Sequence, residues 1–329
     1  MVPEATFTSY YGRQIVRPSP WEADIPAYLF FGGLAAGSSL LGAGGDLTGR
    51  PALRRTGRLG ALVAISASMG ALVHDLGRPE RFLNMLRTAK LTSPMSVGTW
   101  ILSAYGPFAG AAAAAELLGM LPAARTGRLS TLVTLGRPLG VVAALTAPPV
   151  AAYTAVLLAD TATPSWHEAY RELPFVFVGS AAAASGGLAL MTSPVSQTGP
   201  ARRMALGGAL LELAAEQRME ASMGITAEPL HQGTPGLLMK LSKALTIVGA
   251  AGSLLAGRNR AVAVMSGAAL MAGSVCTRFG IFEAGQQSAR DPKYTVVPQR
   301  ERLDRAEQVR SDGRAGPTRT PPQSSARST

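Results

Sequence analysis

The fold is decided by the uncharged stretch IPAYLFFGGLAAGSSLL, residues 25–41 of a 329-residue chain. A helix needs roughly 20 mostly apolar residues to cross a bilayer, and this stretch with its continuation supplies them. In the whole chain 47% of the residues are hydrophobic and 16% are charged. Soluble domains carry about 25% charged residues. The sequence therefore predicts an all-α integral membrane protein.

By the same reasoning the sequence predicts seven further spans. The predicted spans are 25–46, 57–75, 97–119, 133–159, 174–192, 203–217, 240–257 and 261–280. The sixth is the weakest, because it is short and contains Glu212 and Glu216. Residues 25–41 resemble LPFVFVGSAAAASGGLAL at 173–190, which suggests a duplicated unit. We therefore predict eight transmembrane helices in two four-helix bundles, residues 25–159 and 160–283.

The two ends of the chain are predicted to lie outside the bundles. Residues 1–24 lack the basic region and the small-residue cleavage site of a signal peptide, so we expect no cleavage. Residues 284–329 are rich in Pro, Ser, Arg and Gln, and we predict a polar, largely disordered tail. Lys and Arg favour the gaps after spans one, three, five and seven. The positive-inside rule then predicts a multi-pass protein of the cytoplasmic membrane with both termini extracytoplasmic.

Composition excludes several classes of function. The chain has one cysteine, Cys276, so a cysteine zinc site or an iron–sulfur cluster held by this chain is not expected. No two of its three histidines share a predicted span, which argues against a haem with two histidine ligands. The net charge of +11 comes mainly from arginines between spans or in the tail. We therefore expect contact with the lipid bilayer and no nucleic acid, and any redox function must use metal centres of a partner.

The densest group of ionisable and polar side chains lies in HDLGRPERFLNMLRTAKLTSPMSVGTW, residues 74–100. His74 and Asp75 end the second predicted span, and Arg78 follows them. Ionisable groups at a membrane are costly and mark candidate functional sites. A carboxylate beside an imidazole at the apolar boundary can accept a proton from a quinol hydroxyl. The alternative is that Asp75 only ends the helix, while His74 and Arg78 are interfacial anchors.

Other polar residues flank this stretch. Asp24 and Tyr28 begin the first span on the same predicted face of the membrane. Ser93 and Pro94 predict a helix start, with a capping oxygen followed by proline. Ser96 and Trp100 lie four residues apart and share a helix face, so both are candidate ligand contacts. A tryptophan at such a position is more often an aromatic residue of the membrane interface than a ligand contact, and this alternative applies to Trp100.

The opposite face offers further ionisable residues. Glu116 lies late in the third span and Arg137 begins the fourth, so we predict that they form an ion pair or part of a proton route. Glu212 and Glu216 lie one turn apart on the sixth span. They are candidates for a proton route or for polar contacts between helices, and the sequence does not separate these alternatives. We predict no metal site.

Three segments, IPAYLFFGGLAAGSSLL, HDLGRPERF (74–82) and SPMSVGTW (93–100), resemble the membrane subunits of the polysulfide reductase (NrfD/PsrC) family. RFGIFEAGQQSARDPKYTVVPQR, residues 278–300, also looks like the family's ending. The resemblance covers about residues 20–300. It implies an eight-helix subunit without haem that anchors a ferredoxin-like iron–sulfur subunit and a molybdopterin catalytic subunit. Such a subunit exchanges electrons with menaquinone or ubiquinone in anaerobic respiration.

Carried onto this chain, the resemblance implies that Asp75 accepts the quinol proton, with His74 assisting and Arg78 orienting the site or contacting the partner. Asp24 and Tyr28 correspond to the family's quinone contacts by location only. We therefore expect a quinone-reactive anchor of a multisubunit oxidoreductase, inactive alone towards the terminal substrate. The alternatives are a secondary transporter and a purely structural anchor. A transporter would place polar groups near the bilayer midplane, whereas the sequence puts its polar groups near the ends of the spans, which disfavours a transporter.

Overall fold

A computed structural model describes residues 13–78, 80–122 and 128–314. The first half of the predicted N-terminal segment and the last residues of the predicted tail lie outside this part of the chain. In the described residues all regular elements are helices. The α-helices are α1 (Asp24–Leu47), α2 (Pro51–Asp75), α3 (Arg81–Leu86), α4 (Pro94–Gly119), α5 (Arg128–Ala159), α6 (Pro164–Glu168), α7 (Leu173–Thr192), α8 (Gly199–Ser222), α9 (Gly233–Leu255), α10 (Arg260–Arg290) and α11 (Lys293–Arg314).

Within the described residues, seven helices are long and apolar enough to cross a membrane, namely α1, α2, α4, α5, α7, α9 and α10. The all-helical membrane fold thus agrees with the sequence prediction. The predicted sixth span corresponds to α8, whose 24 residues are long enough. Its charged residues, which include Arg202 and Glu212, keep α8 below the hydropathy of the other seven. The prediction of eight spans is therefore matched by seven such helices and one more polar helix.

Small residues hold the helices close together. A Cβ atom on Gly33 of α1 would lie 3.0 Å from the Cβ of Ala181 on α7, so these two helices approach almost backbone to backbone. One hydrophobic core consequently joins the predicted halves: Tyr28 of α1 and Tyr105 of α4 share it with Phe177 of α7. The structure does not separate two four-helix bundles, because this core and the close contact of α1 with α7 cross the predicted boundary.

The predicted helix start at Ser93 and Pro94 is confirmed. α4 begins at Pro94, and the Ser93 hydroxyl accepts a hydrogen bond from the Ser96 backbone N–H at 3.5 Å. Four residues later Gly98 faces the ring of Tyr153 on α5 so closely that a Cβ atom there would overlap the ring. Only glycine permits this packing of α4 on α5.

Replacing Gly98 with alanine is expected to destabilise the fold by about 1–3 kcal/mol, because the added methyl group forces the Tyr153 ring to move. The matched control is Gly110→Ala in the same helix, where a Cβ atom meets no atom within 4 Å. Alanine there should be neutral or stabilise by up to about 1 kcal/mol. Denaturation of the purified chain in mixed micelles measures both variants, and equal stabilities would contradict the packing argument.

The predicted tail differs from the structure over residues 284–314. α10 continues to Arg290, and the Gln286 amide donates to the backbone oxygens of Ser19 and Trp21 at 3.0 and 3.1 Å. α11 follows, with Lys293 Nζ 2.7 Å from a Glu228 carboxylate oxygen. This hydrogen bond lowers the pKa of Glu228 below its ordinary value. The polar composition suggested disorder because it does not reveal that these side chains have partners in the fold.

Candidate functional site

The antiparallel pairing of α1 and α2 brings the start of α1 beside the end of α2. At this end of the bundle, termed the His74 face, His74 Nδ1 lies 2.7 Å from Asp24 Oδ2. The His74 side chain is 80% exposed and that of Asp24 is 33% exposed. Since the Asp24 carboxylate accepts this hydrogen bond, Nδ1 carries the proton. The pair lies at the rim of the bundle, where it can exchange protons with water.

Asp75 points the other way. Successive residues of an α-helix are rotated by about 100°, so neighbours face different directions. Asp75 is half-buried and lines a cavity of about 40 Å³. The other lining residues are mostly apolar or aromatic: Trp21, Ile25, Tyr28, Leu72, Leu76, Met85, Met95, Thr99, Leu102, Tyr153 and Leu157. The structure therefore places a carboxylate and two tyrosines in an otherwise apolar cavity.

A second cavity of about 280 Å³ adjoins the first. Met85, Met95 and Thr99 line both cavities. The smaller cavity accommodates little more than water. Methionine side chains are unbranched and flexible, so movement of Met85 and Met95 would join the two spaces. A ring-sized ligand requires this movement to reach Asp75.

The other predicted site residues have different positions. Ser96 Oγ donates to the Thr88 backbone oxygen at 2.7 Å, and Trp100 Nε1 donates to the same oxygen at 3.2 Å. These two side chains hold the connector between α2 and α4 in place. Ser96 lines the larger cavity, whereas Trp100 and the exposed Arg78 line neither cavity. In this structure Ser96 and Trp100 thus position the cavity wall.

Two aromatic residues that line the cavity were not among the site residues predicted from the sequence. Tyr153 lies near the end of α5, and Trp21 precedes α1 and stacks on the buried Trp166 with ring centroids 6.1 Å apart. The signal for Tyr153 was its membrane depth, because α5 ends on the same face as α2. Trp21 lies in a segment without a periodic pattern, so only the tertiary structure shows that it reaches the cavity.

The opposite end of the bundle, termed the Glu116 face, holds a buried ion-pair cluster. Glu116 Oε2 lies 2.8 Å from Arg54 Nε and 3.0 Å from Arg58 Nη1. Arg58 also contacts Asp46 at 2.9 Å. The predicted Glu116–Arg137 pair is therefore wrong. Arg54 and Arg58 lie one turn apart on α2, so both reach Glu116 on the adjacent α4, whereas Arg137 is exposed on α5.

The middle of the second half contains buried ionisable residues. Glu212 Oε1 accepts a hydrogen bond from Thr277 at 2.7 Å, and the nearest cation to Glu216 is Lys243 at 3.9 Å. Arg278 donates to the Phe177 backbone oxygen and lies 3.8 Å from the Phe177 ring centroid. The sequence argument against a transporter assumed that polar groups lie near span ends, and these groups do not. A transporter site also calls for broken helices, but α8 and α10 run unbroken through this region.

Comparison with known proteins identifies the family. The model of the family described as "Polysulphide reductase, NrfD" matches residues 14–203, which is more than half of the chain. The match includes α1–α7 and therefore both cavities of the His74 face, but it ends before the predicted limit near residue 300. No curated protein matches the chain. The match supports a role as a membrane anchor, and the chain belongs to the polysulphide reductase NrfD family.

Proposed function

We propose that this chain is the quinone-reactive membrane anchor of a multisubunit oxidoreductase, with the quinone head group bound at Asp75. The observation that carries the proposal is the division of roles between adjacent residues. Asp75 faces an apolar cavity, while His74 pairs with Asp24 at the exposed rim. A base inside the cavity and a proton exchanger outside it are what quinol oxidation requires.

The reaction balances as the loss of two protons and two electrons from a quinol to give a quinone. The Asp75 carboxylate accepts a hydroxyl proton within the cavity and returns it towards the rim, where the His74–Asp24 pair releases it to water. Two hydroxyl protons leave in this way for each quinol. The phenol groups of Tyr28 and Tyr153 offer hydrogen bonds that orient the quinol oxygens. In quinone reduction the same groups deliver protons in the opposite order.

With one cysteine and no two histidines on one predicted span, this chain is not expected to hold a haem or a cysteine-ligated metal centre that could carry the electrons. We propose that they pass between the quinone and an iron–sulfur, ferredoxin-like subunit docked on the His74 face, and from there to a molybdopterin catalytic subunit. In this proposal the His74 face and both termini lie on the extracytoplasmic side of the cytoplasmic membrane. We also propose that α8 crosses the membrane as the eighth span, because Glu212 and Glu216 are covered by neighbouring helices.

Direct binding tests the proposal on the purified full chain. A short-chain naphthoquinone should quench tryptophan fluorescence saturably, because Trp21 lines the Asp75 cavity. Trp21→Phe should remove most of this quenching. Trp100→Phe is the matched control, since Trp100 lines neither cavity, and it should leave the quenching intact. A purely structural anchor would show no saturable quenching, and equal quenching in both variants would place the ring elsewhere.

A further inference from the structure

A second cavity system lies on the Glu116 face, away from the proposed quinone site. Its polar part is a cavity of about 300 Å³ beside the first turns of α2 and α5 and the last turns of α4. The residues that line it are Asp46, Arg54, Arg55, Arg58, Ala115, Glu116, Gly119, Met120, Val133, Thr134 and Arg137. Four guanidinium groups and two carboxylates therefore face one space.

The charges of this cavity do not cancel. The Glu116 carboxylate forms ion pairs with Arg54 at 2.8 Å and with Arg58 at 3.0 Å, and Asp46 forms one with Arg58 at 2.9 Å. Arg55 approaches Glu116 only at 3.8 Å. Arg137 forms no ion pair with any residue that the structure describes. The walls thus present two cations in excess, which suits an anion with several acceptor oxygens.

An apolar groove of about 490 Å³ begins where the arginine cavity ends. Arg55 lines both spaces. From Arg55 the groove follows Leu59 and Val63 along one face of α2, since residues four apart lie above one another. Its other walls are mostly apolar and come from α1, α7 and α10: Phe31, Leu34, Leu188, Thr192 and Met271.

The cationic cavity and the apolar groove together match an amphiphile that has an anionic head group and an apolar chain. We propose that this chain binds an anionic phospholipid, with the phosphate head group between Arg55 and Arg137 and one acyl chain in the groove along α2. Inorganic phosphate shares the head-group chemistry but would leave the apolar groove empty. The continuity of the cationic cavity with the groove through Arg55 favours the lipid. The inference does not depend on the proposed quinone site, which lies at the other end of the bundle.

The test uses the purified, delipidated full chain in a neutral detergent. Its thermal unfolding midpoint is followed during titration with short-chain phosphatidylglycerol, phosphatidylcholine or inorganic phosphate. Phosphatidylglycerol should raise the midpoint saturably by about 3 °C or more, because a ligand of the folded state stabilises it. Phosphatidylcholine and inorganic phosphate should have little effect. Equal effects of the two lipids would overturn charge recognition, and protection by inorganic phosphate alone would overturn the lipid assignment.

Three variants locate the binding. Arg137→Gln should weaken the apparent affinity for phosphatidylglycerol about tenfold, the usual effect of losing a charged hydrogen bond. Val63→Trp should weaken it by filling the groove, because Val63 is exposed there. Arg203→Gln removes the same charge from an exposed arginine on this face that does not line either space, and it should change nothing. Equal losses in Arg137→Gln and Arg203→Gln would contradict a defined site.

Discussion

Replacing Asp75 with asparagine is expected to reduce quinol-linked electron transfer by about 10²-fold or more, the usual contribution of a general base. Asparagine keeps the size and polarity of the side chain but cannot accept a proton. The cavity and the assembled complex should therefore survive while turnover is lost. The measurement is the quinol-dependent reduction rate of the complex purified through a tag on this chain, with subunit content determined on the same sample.

The matched control is Asp160→Asn. Asp160 lies at the end of α5 on the same face, is exposed and lines neither cavity near Asp75. This variant should retain the parental rate. If Asp75→Asn kept quinol-linked turnover in an intact complex, Asp75 would not be the base and the proposed site would be wrong. If both variants lost activity equally, the effect would reflect the charge of the face and not the cavity.

Replacing Glu116 with glutamine is expected to have the largest effect on stability, a loss of about 3–5 kcal/mol in the free energy of unfolding. Glu116 is 5% exposed and neutralises Arg54 and Arg58. Glutamine retains hydrogen-bonding capacity but carries no negative charge, so the positive charges of Arg54 and Arg58 lose their carboxylate partner. The loss is costly because Arg58 is also buried. Denaturation of the purified chain in mixed micelles gives the free energy directly.

Two further variants separate charge from packing. Glu168→Gln breaks an ion pair with Arg302 at 3.4 Å in which both side chains are substantially exposed, and it should cost less than about 1 kcal/mol. The double variant Glu116→Gln with Arg58→Gln should recover part of the loss, because one uncompensated charge is removed. A cost of Glu116→Gln no larger than that of Glu168→Gln would show that the buried cluster contributes little.

The helical membrane fold was accessible from the sequence because hydropathy is a local property. A run such as residues 25–41 must be helical in a bilayer, where each backbone group needs a partner within the segment. Pairing of successive antiparallel helices then brings Asp24, Tyr28 and Asp75 to one face without further information. The start of α4 at Ser93 and Pro94 was equally local, since capping depends on adjacent residues.

Choice of partner is not local. From sequence position Arg137 was the predicted partner of Glu116, but the packing of α2 against α4 brings Arg54 and Arg58 to it instead. Ser96 and Trp100 looked like ligand contacts, yet both bind the Thr88 backbone oxygen because the connector folds back onto α4. After residue 284, Gln286, Lys293 and Arg302 contact distant backbone or side-chain groups of the fold, which the polar composition does not reveal.

The sequence by itself determined that this chain is a helical membrane protein, which residues share the His74 face and which family it resembles. These properties follow from hydropathy, helix direction and short motifs. Only the tertiary structure decided that Asp75 faces inward while His74 faces Asp24, and that Tyr153 and Trp21 complete the cavity. The rotation of α2 about its axis fixes those directions, and that rotation is set by packing against α1, α4 and α7.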